Sequence, residues 1–162
     1  MTVIHGRKIT IAAMLAGVSI ILNLLDRALI PFFPWSKIGL ANIGVFVGIE
    51  KLPPLYSAGI VFTKIFFTGI FTGVTGPGFL AALSSSIMAY FIMFFLRKLN
   101  FSIIPVSICS SVGHVFTQAV VISLILGINF HTLFKTLLVF GIMNGIITGF
   151  IVFWVLRRLK IE

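Results

Sequence analysis

The chain has 162 residues, of which 59% are hydrophobic and only 9% charged, whereas a soluble domain is nearer a quarter charged. A water-soluble fold of this length cannot hide so much apolar surface, because a large share of its residues must face water. A bilayer removes that constraint, so a single transmembrane domain over residues 1–162 is expected. Twelve Lys+Arg stand against three Asp+Glu, a net charge of +9. These basic residues lie in short clusters between apolar runs, the pattern that orients a membrane protein. They form no basic face for a phosphate backbone, which argues against nucleic-acid binding.

In chain order, spans of the roughly 20 apolar residues needed to cross a core of about 30 Å are expected at Ile9–Leu25, Ile38–Ile49, Leu52–Phe71, Phe79–Leu96, Ile103–Leu126 and Leu133–Leu156. The first follows Arg7 and Lys8 as a signal peptide would. No small-residue cleavage site leads into a soluble domain, so it reads as a retained helix. The second is too short to cross squarely: either the apolar stretch before it extends it, or it enters at an angle inside the bundle. No period-two pattern suggests a β-barrel. With the N-terminus inside, the inner side holds eight Lys and Arg and the outer side three, with Lys64 inside a span. Both termini are therefore expected in the cytoplasm.

The longest outer connection, from Asp26 to Lys37, reads DRALIPFFPWSK. Its two prolines prevent a regular helix. Phe32, Phe33 and Trp35 serve either as an interfacial aromatic anchor or as a lid over an outward-facing pocket, and the two roles are compatible. Small residues recur at helical spacing as Ala12…Ala16, Ala13…Gly17, Gly44…Gly48, Gly69…Gly73 and Gly141…Gly145…Gly149. Such residues let helices approach closely. Packing within the bundle is expected for most; the Ala12…Ala16 face of span one is the candidate for docking a partner membrane subunit.

Polar groups inside a membrane are costly and demand a reason. Lys64 lies in the outer half of span three, where it either snorkels or points into a cavity and meets a carbonyl-rich or anionic ligand. His114 and Gln118 are four apart and share a face. Asn42, Asn23 and Asn144 add amides, and Ser84-Ser85-Ser86 a hydroxyl-lined patch. Together they give several spans an inward polar group, as a small-molecule pocket requires. No second His or carboxylate stands at metal-ligand spacing, and the single Cys109 excludes an internal disulfide. The only acids are Asp26, Glu50 and Glu162, read as lying outside the spans. No carboxylate pair is available for acid–base work or magnesium, and no phosphate-cradling loop for ATP hydrolysis. An enzyme is not expected, and active transport would draw its energy from a partner.

The stretch Lys37-Ile38-Gly39-Leu40-Ala41-Asn42-Ile43 resembles the K-[LI]-G-L-A-N-I signature of the Gx transporter family, also filed as heptaprenyl diphosphate synthase component I. The resemblance runs from about residue 9 to 150. It passes through Lys64, where the family usually has arginine, through the Gly-Pro-Gly-Phe opening of span four and Ser84–Ser86, and through Ser111-Val112-Gly113-His114…Gln118. Val115 departs from the family's asparagine, and Lys64 keeps the charge of arginine without its bidentate fork. The prenyl-synthase label implies aspartate-rich magnesium motifs, which this sequence does not hold.

The family is similar to the substrate-binding S components of energy-coupling factor (ECF) transporters. The resemblance implies an all-α, six-transmembrane-helix bundle in a bacterial-type cytoplasmic membrane, with an outward pocket under the first outer loop. It further implies an A-x-x-x-A face that meets an ECF coupling subunit and its ATPases. Relatives of this kind are associated with extracytosolic flavinylation, so the implied cargo is a flavin: riboflavin first, then FMN or FAD, carried as a ligand and not required as a cofactor. On that reading Phe32, Phe33 and Trp35 cover the ring system, and Asn42, Lys64, His114 and Gln118 hydrogen-bond it. Lys37, Ser84 and Asn144 complete the ligand set, and Ala12 and Ala16 dock the partner. The alternatives are an S component for another small molecule and a non-transporting assembly subunit of a membrane redox complex.

Overall fold

The computed structural model describes residues 2–29, 39–73 and 76–159. Within them the chain forms six helices and no strand: α1 (Thr2–Leu29), α2 (Asn42–Lys51), α3 (Pro54–Thr72), α4 (Pro77–Lys98), α5 (Ile103–Leu126) and α6 (Phe130–Arg158). Local chemistry sets the ends. Pro54 and Pro77 occupy the first turns of α3 and α4, where the missing N–H costs nothing. Gly73 and Gly127 close α3 and α5 in the left-handed region, at φ 60° and 67°, which only glycine enters freely. Asn129 caps α6 by accepting a hydrogen bond from the Thr132 N–H at 3.3 Å.

Five of the six helices are long and apolar enough to cross a membrane. The exception is α2, whose ten residues reach only about 15 Å, half of a hydrocarbon core. It touches α1, α3, α4 and α6, and Ile43 through Gly48 are all buried. The short second span thus sits inside the bundle as a half-length helix. The outer surface has the opposite character. Leu55, Phe71, Leu124 and Trp154 are more exposed than covered, an apolar girdle that water would penalise and lipid accepts. The protein is a multi-pass membrane protein.

Glycine decides how close the helices come. On α6, Gly141, Gly145 and Gly149 lie along the α5 seam. A Cβ at Gly145 would stand 2.6 Å from the Ile108 Cα, and one at Gly149 would stand 3.1 Å from the Ile104 Cα. On α2, a Cβ at Gly44 would meet the Leu15 carbonyl oxygen of α1 at 2.6 Å. These spacings serve internal packing, as the sequence pattern predicts.

At the end of the bundle expected to face the cytoplasm, Arg97 of α4 clasps Glu50 of α2. Its Nη2 donates to Oε2 at 2.8 Å, and its Nε to Oε1. The same guanidinium donates to the Phe101 carbonyl, so one side chain ties α2 and α4 to the turn before α5. Nearby, the Tyr90 hydroxyl donates to the Pro54 carbonyl at 3.0 Å and lies 3.0 Å from Ser57 Oγ. Because the clasp is partly covered and bidentate, Arg97→Ala is expected to cost about 1–2 kcal/mol. Glu50→Gln, which keeps an acceptor, should cost less; thermal unfolding in detergent checks the order.

Two sequence expectations need correction. Helices α1, α4 and α6 extend beyond their apolar runs at both ends, and α1 continues to Leu29. Asp26, taken as the start of an outer connection, is therefore a helical residue only 1% exposed. One extra turn places it three residues after Asn23 on the same inward face.

Candidate functional site

The inward faces of all six helices meet at one polar cavity. Asn23 and Asp26 come from α1, Gly39 and Ala41 from the turn before α2, Asn42 from its first turn, and Lys64, Ile65, Thr68 and Gly69 from α3. Phe79, Ala82 and Ser86 come from α4, Ser111, His114, Val115 and Gln118 from α5, and Leu137, Phe140, Gly141 and Asn144 from α6. The volume is about 60 Å³, enough to admit water.

Helical periodicity builds this wall. Lys64 and Thr68 are four apart on α3. Ser111, His114, Val115 and Gln118 fall at i, i+3, i+4 and i+7 on α5, a single stripe. The stripe is polar except for Val115. The half-helix α2 begins at the cavity, its first residue Asn42 facing Lys64.

Lys64 is 3% exposed, and its ammonium donates to Asn42 Oδ1 at 2.9 Å. It does not snorkel to a surface. A cation so deep is stabilised by oxygen acceptors around it, and Asn42 supplies one. His114 Nε2 lies 3.1 Å from Ser85 Oγ. That hydroxyl already donates to the Ala81 carbonyl at 2.6 Å, so it accepts from the imidazole, and Nε2 carries the proton. Gln118 is buried at the same wall.

Of the residues selected from sequence, Asn42, Lys64, His114, Gln118 and Asn144 converge on the cavity. Ser84 does not line it; Ser86, two residues on, does, and Ser85 orients His114. Phe32, Phe33, Trp35 and Lys37, with the lid they were expected to form, lie outside the described residues. Ala12 and Ala16 lie in a surface groove between α1 and α3 together with Ala13 and Gly17. Ala16 itself is buried there, and Gly17 has open space where a Cβ would stand. Asp26, Thr68, Ser111 and Phe140 belong to the cavity without having been selected. The pairs Asn23/Asp26 and Lys64/Thr68 carried the available signal, since each repeats at a helical interval beside a residue already noted. Among the described residues no three His, Cys, Asp or Glu side chains gather to hold a metal.

Neither a curated protein nor a solved structure matches the chain. Residues 15–155 match the profile of the heptaprenyl diphosphate synthase component I family, and with this span of match and five membrane-crossing helices the chain belongs to that family as a multi-pass membrane protein.

Proposed function

We propose that the chain is the membrane substrate-binding subunit of a transporter for a small polar molecule, with a flavin as the ligand. The carrying observation is the convergence of Lys64, Asn42, His114, Gln118 and Asn144 on one cavity inside a bundle whose outer surface is apolar. Five polar side chains from four helices gathered at one point in a membrane interior are costly. A ligand that hydrogen-bonds them offsets that cost. Lys64 and Gln118 present donors suited to ring carbonyls, and Phe79 and Phe140 offer aromatic surface to a flat ring.

The family's description names a synthase component, but binding fits this cavity better than prenyl transfer. Diphosphate chemistry uses magnesium held by several carboxylates, and Asp26 is the one carboxylate among the described lining residues. With no ATP-hydrolysing loop in the sequence, energy for uptake would come from a coupling subunit and its ATPases. The α1–α3 groove at Ala12, Ala13, Ala16 and Gly17 is the surface we assign to that contact.

The volume of about 60 Å³ is small against the roughly 300–1,000 Å³ of ordinary ligand sites. A flavin therefore enters only if the walls move apart. Association should then be slower than the usual 10⁵–10⁷ M⁻¹ s⁻¹, roughly, of preformed sites, which stopped-flow quenching would measure. The same volume favours a second reading, in which the ligand is a smaller polar molecule that fits with less opening.

The test is titration of riboflavin, FMN and FAD with the detergent-purified protein, following quenching of flavin fluorescence. Saturable quenching at sub-micromolar concentration is expected for at least one flavin. Quenching by none removes the flavin assignment and turns attention to the smaller ligand. If a mass-spectrometric search then finds no bound small molecule, a non-transporting assembly subunit becomes the better account.

A further inference from the structure

Asn23 Oδ1 on α1 and Thr68 Oγ1 on α3 are both buried at the cavity wall, and neither has a hydrogen-bond partner among the described residues. The two side chains are 7% and 4% exposed. Buried polar atoms without partners are rare, because each carries its full desolvation cost. Two of them facing one cavity, beside the carboxylate of Asp26, form a pattern that packing alone does not require. Leucine would fill the Asn23 site and valine the Thr68 site at lower cost.

We infer that this wall reads hydrogen-bond donors on the ligand, with Asn23, Asp26 and Thr68 as binding residues. The inference rests on the cavity being a ligand site, as proposed above, but not on the ligand being a flavin. Asn23 and Asp26 lie three residues apart, about 4.5 Å along the helix axis. They present an amide oxygen and a carboxylate one turn apart on the same face. Thr68 adds a hydroxyl that accepts as well as donates. The matching ligand edge carries N–H or O–H groups at comparable spacing, such as a polyhydroxylated chain or an amide or imide edge. A phosphate or carboxylate is the wrong chemistry here, since it would bring acceptors against acceptors. The donor-rich Lys64 takes the ligand's carbonyls, so the ligand is oriented: donors toward Asn23, Asp26 and Thr68, acceptors toward Lys64.

The test exploits a trade-off between stability and binding. Asn23→Leu and Thr68→Val remove the partnerless atoms with little change of shape. Each is expected to raise the melting temperature of the ligand-free protein by about 2–4 °C. Asn23→Leu should also weaken riboflavin binding at least roughly tenfold. If Asn23→Leu does not accumulate, Thr68→Val carries the same readout alone. An unchanged or lower melting temperature overturns the inference, because it means these atoms are satisfied within the fold. Stabilisation with undiminished riboflavin affinity also overturns it. Stabilisation in a protein whose wild type binds no flavin leaves the donor-reading wall in place and removes the flavin assignment alone.

Discussion

Lys64→Ala is expected to weaken ligand binding by about 1–3 kcal/mol, roughly a ten- to hundredfold rise in Kd, with little loss of folded protein. Among the described residues Lys64 is the buried cation of the cavity, and its ammonium points at Asn42 Oδ1. If the ligand presents a carbonyl there, truncation removes a charge-assisted hydrogen bond and leaves that carbonyl without its donor. Lys64→Arg should retain most of the affinity, because it keeps the charge and adds donors. Lys64→Met, which keeps the length and loses the charge, should behave like alanine. Isothermal or fluorescence titration of the three variants checks the order. Affinity unchanged in Lys64→Ala would place the ligand elsewhere.

Gly145→Leu should have the largest effect on folding. Even the first carbon of a side chain at this position would stand 2.6 Å from the Ile108 Cα and 3.1 Å from its nitrogen. Those atoms belong to the backbone of α5 and cannot rotate away, so α5 and α6 must separate. Lipid supplies no hydrophobic force to draw them back, because membrane helices are held together by close packing. Gly145→Ala is expected to cost about 1–3 kcal/mol, and Gly145→Leu should prevent accumulation of monodisperse protein. Gly17→Ala is the matched control, since a Cβ there has nothing within 4 Å. It should leave the isolated chain as stable as the wild type, or slightly more stable, as alanine is the better helix former. Size-exclusion profiles and thermal unfolding of the three variants separate these outcomes.

The bundle was legible because hydrophobicity at membrane scale is a strong signal. The span predicted at Ile103–Leu126 coincides with α5, and the others differ mainly at their ends. The ends were misplaced because polar residues next to an apolar run still complete helical turns, as Asp26 does on α1. That error hid the one carboxylate among the described lining residues of the cavity. The stripe His114/Gln118 was visible because period and polarity coincide. Thr68 and Ser111 were not, because a hydroxyl within an apolar helix commonly bonds its own backbone, as Thr72 and Thr117 do here. The shortness of α2 was plain from its apolar length, but its place inside the bundle depends on contacts distant in sequence. Ser84 shows the limit of reading a run of like residues. Rotation of 100° per residue separates three consecutive serines, and only their neighbours decide which one faces inward.

The most direct measurement of the central claim, that the polar cavity is the ligand site, is protection of a thiol placed in its wall. Ser86→Cys adds a slightly larger atom at a lining position, and Cys109→Ser removes the native exposed thiol. The rate of methylthiolation at position 86, read by mass spectrometry, is expected to fall as riboflavin is added. Its concentration dependence should match that of fluorescence quenching in the same protein. Modification at an unchanged rate under saturating flavin would contradict the account.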